Sequence, residues 1–425
     1  MDLDAEYGVV VSDWNVGLKT VGPDDSRDIA IIGAGPAGLI AAEVLASIGH
    51  RVTIYDRMPS PARKFLLAGR GGLNITHSEP LEVFQVRYGD GADLVRKAVA
   101  AFPPTALIAW AEGLGQETFK GSSGRVFPKA MKASPLLRAW LKRLEGLGVQ
   151  LMPRHAFTGF APDGGIVLEN AAGHEMTLRP SATLLAFGGA SWPKLGSDGL
   201  WVKPFREAGI AVETLQPANA AVLIPWSETY LRKFEGQALK RIAIETGGQR
   251  VRGEAFVTKT GLEGGAVYAL SRAIRDRLAA GTCALMIDLA PDITHDALSA
   301  RLRQGKQKDS LSNLLRKAAG LSPAAIGLLR EGSEILIREP EHLARRIKSV
   351  RLPVSNLAGI ERAISTAGGI KFSELDVALM LKARPGIFVG GEMLDWEAPT
   401  GGYLLQGCFA TGVLAARGIA RWLDP

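Results

Sequence analysis

Residues 27–56 read RDIAIIGAGPAGLIAAEVLASIGHRVTIYD. The apolar run at 29–32 suits a strand buried on both faces. It runs into Gly33-Ala34-Gly35-Pro36-Ala37-Gly38, a GxGxxG, and an apolar helical stretch continues to Gly49. A second short strand at 52–55 finishes at Asp56, 18 residues past Gly38. Gly33 permits the tight turn, Gly35 lets a pyrophosphate approach the backbone, and Gly38 lets the helix pack on the strand. The helix start offers unpaired N–H groups and a positive dipole end to phosphates. Asp56 is placed to accept the hydroxyls of an adenosine ribose. A lone GxGxxG is a weak signal, but one in register between strand, helix and acidic strand end points to dinucleotide binding.

Residues 29–49 also approach the length of a membrane span, which takes about 20 apolar residues. Three glycines interrupt the run and Glu43 sits inside it, so a buried βαβ unit explains it better and no membrane insertion is expected. A chain of 425 residues exceeds one compact core, and two or three domains are expected. The two cysteines, Cys283 and Cys408, lie far apart and form no CxxC, which excludes a disulfide framework and a redox dithiol. The six histidines show no metal-ligand spacing, so no metal is expected. Residues 1–26 carry six acids and no apolar core of a secretory signal; they read as a variable tail on a cytoplasmic protein.

Charge is unevenly spread. Residues 301–351 hold twelve Lys and Arg against five Asp and Glu, which accounts for the whole net charge of +7. This is either a basic face that steers an anionic partner or an ordinary solvated helical surface.

Helical periodicity marks residues 92–114 and 134–147, the latter with Ser134-Pro135 as N-cap and first helical residue. An apolar strand at 182–187 leads into Gly188-Gly189. From 212 to 290 short β-rich runs, at 220–224, 242–245, 254–258 and 283–287, suit an inserted antiparallel or barrel-like module. Residues 291–351 read as an inserted basic helical module with breakers at Ser322-Pro323 and Glu339-Pro340. The first texture then returns: a strand at 386–390, Gly391-Glu392, the turn Thr400-Gly401-Gly402, and a helix from Tyr403 to Trp422. The chain therefore comes back to its first domain, which comprises 27–211 and 352–425. No second GxGxxG follows a strand, so a separate nicotinamide-binding Rossmann domain is absent.

One dinucleotide site closed by a C-terminal strand, acid and helix is the arrangement of FAD-binding proteins of the glutathione-reductase-like type. The fold class is therefore α/β, an FAD-binding Rossmann domain interrupted by the two inserted modules. Glu392 can accept hydrogen bonds from ribityl hydroxyls, and N–H groups near Gly402 and Tyr403 can face the flavin N1/O2 edge. A positive helix end there favours the anionic reduced flavin.

Six separated motifs carry a family resemblance: GAGPAGL at 33–39, RKFLLAGRGGLNIT at 63–76, GRVFPKAMKAS at 124–134, FGGASWPKLGSDG at 187–199, TKTGLEGGAVYALS at 258–271 and GGEMLDWEAPTGGYLLQ at 390–406. Over residues 27–425 the chain resembles the bacterial YhiN-like, aminoacetone-oxidase-like NAD(P)/FAD-dependent oxidoreductases. Carried over position by position, the resemblance implies FAD contacts at Gly33, Gly35, Gly38, Asp56, Arg57, Lys64, Asn74, Thr76, Gly189, Glu392 and Gly402. Their neighbours Ala34, Pro36, Ala37, Gly188, Gly391, Gly401 and Tyr403 complete the expected cofactor set. It also implies NADH or NADPH as a transient electron donor to a flavin that reduces a conjugated C=C, or oxidises an amine, of a small molecule. A second reading from the same resemblance is reduction of uridine in ribosomal RNA, with the basic helical module holding the RNA.

The chain departs from the family in places. It has Gly72-Leu73-Asn74 where Arg-Cys-Asn is usual, so cysteine chemistry at that spot is excluded. It has Phe187-Gly188-Gly189 for Thr-Gly-Gly, and Gly407-Cys408 where an aromatic is usual. These departures mark a sister subgroup with its own substrate. His77, just after the flavin-facing loop, has chemistry suited to a proton donor. Arg57 and Arg63 are either cofactor contacts or solvated loop cations. Cys408, on an apolar helix, reads as core. Tyr403 and Trp396 are either substrate-facing or core aromatics.

Overall fold

Ile29, Ala30, Ile31 and Ile32 are all buried, as a run with no polar face requires. The computed structural model describes residues 20–22, 25–69, 71–89, 91–306, 308–331 and 336–424. Most of the tail assigned to 1–26 lies outside them. The strand Asp28–Ile32 is the middle of a five-stranded parallel sheet. On one side it pairs with Arg51–Asp56, and that strand with Gln150–Pro153. On the other it pairs with Ala182–Leu185, which in turn pairs with Ile387–Val389, Thr183 lying opposite Ile387. The N-terminal and C-terminal parts of the chain thus share one sheet.

The helices Pro36–Ser47 and Tyr403–Leu423 belong to the core of this sheet. Glu43, the acid inside the apolar run, is buried and accepts hydrogen bonds from Trp110 Nε1 and from Arg143, both at 3.0 Å. A buried carboxylate is tolerated where it is paired and hydrogen-bonded. Around it Trp110, Trp140 and Phe409 pack ring on ring. Among the described residues no helix is long and apolar enough to cross a membrane.

Two local expectations change. The periodic stretch at 92–114 is two helices, Asp93–Ala101 and Pro104–Gly113, because Pro103-Pro104 removes two backbone donors at the break. The helix Ala133–Gly146 begins one residue before Ser134, with Lys132 as its cap residue, so Pro135 falls inside its first turn.

The chain divides into two compact units. One takes the chain up to Gln216 and again from Ser365; the other is Pro217–Ile364. Within the second unit a seven-stranded sheet runs from Val350–Val354 at one edge to Asn356–Leu357 at the other. All six of its pairings are antiparallel, and none of them joins the two edge strands, so the described strands form an open sheet where a barrel-like module was expected. The expected division between 290 and 291 is also absent from the packing. Leu285 and Ile287 of the strand Cys283–Asp288 share one core with Leu298, Leu328, Leu343 and Ile347 from the helices. Sheet and helices cannot bury their apolar faces separately, which is why composition alone splits what packing joins. The strand Val350–Val354 pairs with Cys283–Asp288, so the sequence at 352–364 belongs to this unit and not to the dinucleotide domain.

The basic surplus of residues 301–351 is partly consumed inside this unit. Lys348 pairs with Asp288 at 2.7 Å and donates to the carbonyls of Ala290 and Ile293. Arg346 is buried, Arg303 pairs with Glu341, and Lys317 with Asp309. Arg301, Lys308, Arg330 and Arg345 stay exposed.

Candidate functional site

The turn after the strand Asp28–Ile32 carries the three glycines, and the structure separates their reasons. Gly33 has φ +113°, and a Cβ there would sit 2.3 Å from the Ala186 carbonyl oxygen. A Cβ on Gly38 would sit 2.0 Å from the Gly33 carbonyl oxygen. Both are required by the protein's own packing. Gly35 is not: its backbone is extended (φ −84°, ψ −179°), and a Cβ would meet nothing within 4 Å. It lines a cleft of about 380 Å³, so the space beside it is reserved for something other than protein. A dinucleotide pyrophosphate fits that reservation, with the N–H groups of the helix Pro36–Ser47 at its start.

Gly33, Ala34, Gly35, Pro36 and Ala37 line this cleft together with Asp56, Arg57, Lys64, Gly188, Gly391 and Glu392. The site expected from separate stretches of sequence is thus drawn together around one cavity. Gly38 stands behind the turn, and Gly189 is packed against Thr366, whose Oγ1 would lie 2.3 Å from a Cβ at that position.

Asp56 ends its strand with both carboxylate oxygens engaged, one accepting from the Ala34 N–H and the other from the Met58 N–H, each at 2.7 Å. Each oxygen keeps a second lone pair for a ribose hydroxyl. Burial pushes the Asp56 pKa above the ordinary carboxylate range, against the backbone N–H bonds and the charges of Arg57 and Arg63, which pull it down. A raised folded-state pKa favours the protonated folded form. Its contribution to stability is therefore present below the unfolded value, about 4, and is lost as pH rises through the folded value. Cofactor binding has the opposite sign, because a ribose hydroxyl donates best to the ionised carboxylate. FAD affinity should accordingly weaken as pH falls toward 4, starting above an ordinary aspartate's range, and Asp56→Asn should flatten that profile. Equilibrium flavin titrations from pH 4.5 to 7.5 test this; a parent profile as flat as that of the variant would remove Asp56 from the site.

Lys64 and Glu392 meet across the cleft wall. The Lys64 ammonium donates to Glu392 Oε2 and to Ser191 Oγ, both at 2.6 Å. Glu392 also accepts from the N–H groups of Thr366 (3.0 Å) and Gly189 (3.4 Å). Arg57 pairs with Asp198. The thiol of Cys408 also lines the cleft, and burial pushes its pKa far above the usual value, so it stays protonated and unreactive.

The other expected residues form a second cluster. A Cβ on Gly402 (φ +94°) would sit 2.5 Å from Thr76 Cα, so only glycine lets the C-terminal helix start against this strand. Thr76 Oγ1 donates to Gln406, and the Asn74 amide donates to the carbonyls of Thr76 and Val126. Tyr403 donates to Glu79, which also pairs with Arg87, and its ring stacks on His77 at 5.5 Å. Asn74, Thr76, Gly401, Gly402 and Tyr403 therefore stand outside the 380 Å³ cleft. His77 also stands in this second cluster, outside the cleft. Its Nδ1 accepts from the Glu79 N–H at 3.2 Å, which leaves the proton on Nε2, held by the Ser123 carbonyl at 2.9 Å.

Several cleft residues escaped sequence reading: Ser197, Asp198, Leu200 and Trp201 on the segment after Gly188, and Phe157 facing Phe187 at 4.9 Å. The signal available was the glycine- and serine-rich stretch that directly follows the strand Ala182–Leu185.

A five-stranded parallel sheet with a glycine turn, an acidic strand end and a returning C-terminal strand and helix defines a flavoprotein of the oxidoreductase class. The chain belongs to the family described as the HI0933-like protein Rossmann domain, which it matches over residues 27–418. It is 25% identical to a 3-dehydro-bile acid delta(4,6)-reductase of Clostridium scindens, over 92% of this chain and 99% of that one. It is also 25% identical to a ribosomal RNA dihydrouridine synthase of Escherichia coli, over 92% and 97%. Among solved structures, a 3-ketosteroid delta1-dehydrogenase from Sterolibacterium denitrificans shares the fold, with a TM-score of 0.53 and 13% identity over 93% of this chain and all of that one.

Proposed function

We propose that this protein is an FAD-dependent reductase of a carbon–carbon double bond conjugated to a carbonyl group in a small molecule, with NADH or NADPH as the electron donor. The observation that carries the cofactor half is Gly35, whose missing side chain leaves open cleft that the fold itself does not need. The reaction half is supported by the two full-length relatives. The name of one specifies reduction of delta(4,6) bonds in a 3-dehydro-bile acid, and that of the other specifies synthesis of dihydrouridine. Both are reductions of a C=C next to a carbonyl.

When bound, the flavin supplies a store for two electrons delivered as hydride. The chain's residues would hold it: the glycine turn at the pyrophosphate, Asp56 at the ribose, and Glu392, oriented by Lys64, at the ribityl chain. The only thiol lining the cleft, Cys408, is buried and protonated, and Leu73 is fully buried, so the reading assigns no role to a thiol.

The holoprotein is bleached anaerobically with NADH or NADPH and then mixed with a cyclic enone or with the matching saturated ketone. Return of flavin absorbance with the enone only is the expected result. Bleaching by a primary amine in place of the nicotinamides, with no reoxidation by any enone, would overturn the reading in favour of amine oxidation. The exposed cations Arg301, Lys308, Arg330 and Arg345 are the observation that keeps a uridine-containing RNA as the second substrate to try in the same assay.

A further inference from the structure

The helices Glu228–Phe234, Leu311–Ala319 and Pro323–Glu331 border a cleft of about 470 Å³ within the Pro217–Ile364 unit. That volume falls in the range of small-molecule sites, about 300 to 1,000 Å³. Its floor is apolar: Tyr230, Leu321 and Ile326 are buried and Phe234 is half-buried. The walls are fixed by the protein itself. A Cβ on Gly327 would lie 2.3 Å from the Phe234 ring, so the first and third helices are in direct contact there. The Tyr230 hydroxyl donates to the Ala324 carbonyl at 3.2 Å. Ser227, the cap residue of the first helix, donates to Glu331 through its N–H (2.9 Å) and its hydroxyl (2.6 Å).

The rim is positive. Lys233, Arg316 and Arg330 line the cleft, are exposed, and make no ion pair among the described residues. Arg316 donates to the neutral amide oxygen of Asn313 at 2.7 Å, whereas Lys317 beside it is paired with Asp309. Glu331, the one acid in the lining, accepts from Ser227 on both oxygens and pairs with none of the three cations. The Ser310 hydroxyl, also in the lining, accepts from the Asn313 N–H at 3.3 Å and keeps its own proton to donate. Unpaired charge beside low-dielectric walls gathers ligands of the opposite sign. Inorganic phosphate would answer the charge and leave the floor in water, and a neutral hydrocarbon would do the reverse. The two halves together select a ligand that is apolar at one end and anionic at the other.

We infer that this cleft is a second ligand site, for a small amphipathic anion: an apolar chain or ring system that ends in a carboxylate or phosphate. The apolar body lies against Tyr230, Phe234, Leu321 and Ile326, and the anionic end is held by Lys233, Arg316 and Arg330. The site shares no lining residue with the cleft at the glycine turn and does not depend on the FAD reading.

The test is calorimetric titration of the full-length protein with hexanoate, octanoate and decanoate, and with decanol, inorganic phosphate and a short oligouridylate. Affinity should rise about tenfold for each two methylenes added to the carboxylate, as burial of the chain requires. Decanol and phosphate should each bind at least about tenfold more weakly than decanoate, since each lacks one half of the complement. The double variant Arg316→Gln, Arg330→Gln should lose about tenfold or more in decanoate affinity and leave decanol unchanged. Both arginines are exposed, so the ligand-free double variant should melt with the parent, and Lys233→Gln repeats the test on another helix. Affinity that is flat with chain length, decanol binding as well as decanoate, or decanoate affinity untouched by both sets of variants would each overturn the inference. Oligouridylate binding more tightly than decanoate and lost in the same variants would also overturn it, and would make this face a nucleic-acid surface.

Discussion

Gly35→Val should fold normally and purify without flavin colour. The extended backbone at Gly35 is open to any residue, and the valine side chain would project into cavity rather than into protein. The fold therefore loses little, while the pyrophosphate loses its path to the backbone. The contrast with its neighbours makes the result specific: alanine at Gly33 or Gly38 would drive a Cβ to within 2.3 Å or 2.0 Å of a carbonyl oxygen, so those variants should lose the fold. Far-UV circular dichroism and the flavin band near 450 nm, about where any bound flavin absorbs, separate the two outcomes. Full retention of FAD by a folded Gly35→Val would remove the dinucleotide assignment.

Lys64→Met should cost about 3 kcal/mol or more of folding stability in the cofactor-free protein, because it leaves the Glu392 carboxylate buried without its cation. The remaining N–H bonds from Thr366 and Gly189 do not replace a full charge. Adding Glu392→Gln to the first variant removes the stranded charge and should restore most of the loss. Urea unfolding of the two single variants and the double variant gives the coupling directly. A single variant as stable as the parent would show that the pair is not what holds this corner of the cleft.

The strand–turn–helix–strand of residues 27–56 could be read because its periodicity and its glycines obey local rules. Glu392 could be read for a related reason, since an acid at a strand end before a glycine turn has few structural uses. Ser197 could not: a serine between Gly196 and Asp198 looks like any polar turn, and its place in the cleft lining is a property of three-dimensional surroundings. His77 is a different case. Its chemistry is suitable anywhere, but two backbone groups 46 and 2 residues away take both ring nitrogens. Texture divides the second unit at 290/291, while packing joins strand and helix into one core. The surplus of positive charge misled in part for the same reason: Arg346 and Lys348 lie in a basic run but are spent on internal contacts.

The Lys64–Glu392 pair spans 328 residues of chain, and the strand Ile387–Val389 enters the sheet beside one made some two hundred residues earlier. During synthesis, which proceeds from the N-terminus, the glycine turn and Asp56 emerge first and must wait. The Pro217–Ile364 unit is complete, with its own core, before the carboxylate and the last helix exist. The cleft is therefore completed late in synthesis: a nascent chain that stops before residue 392 lacks the carboxylate that Lys64 pairs with.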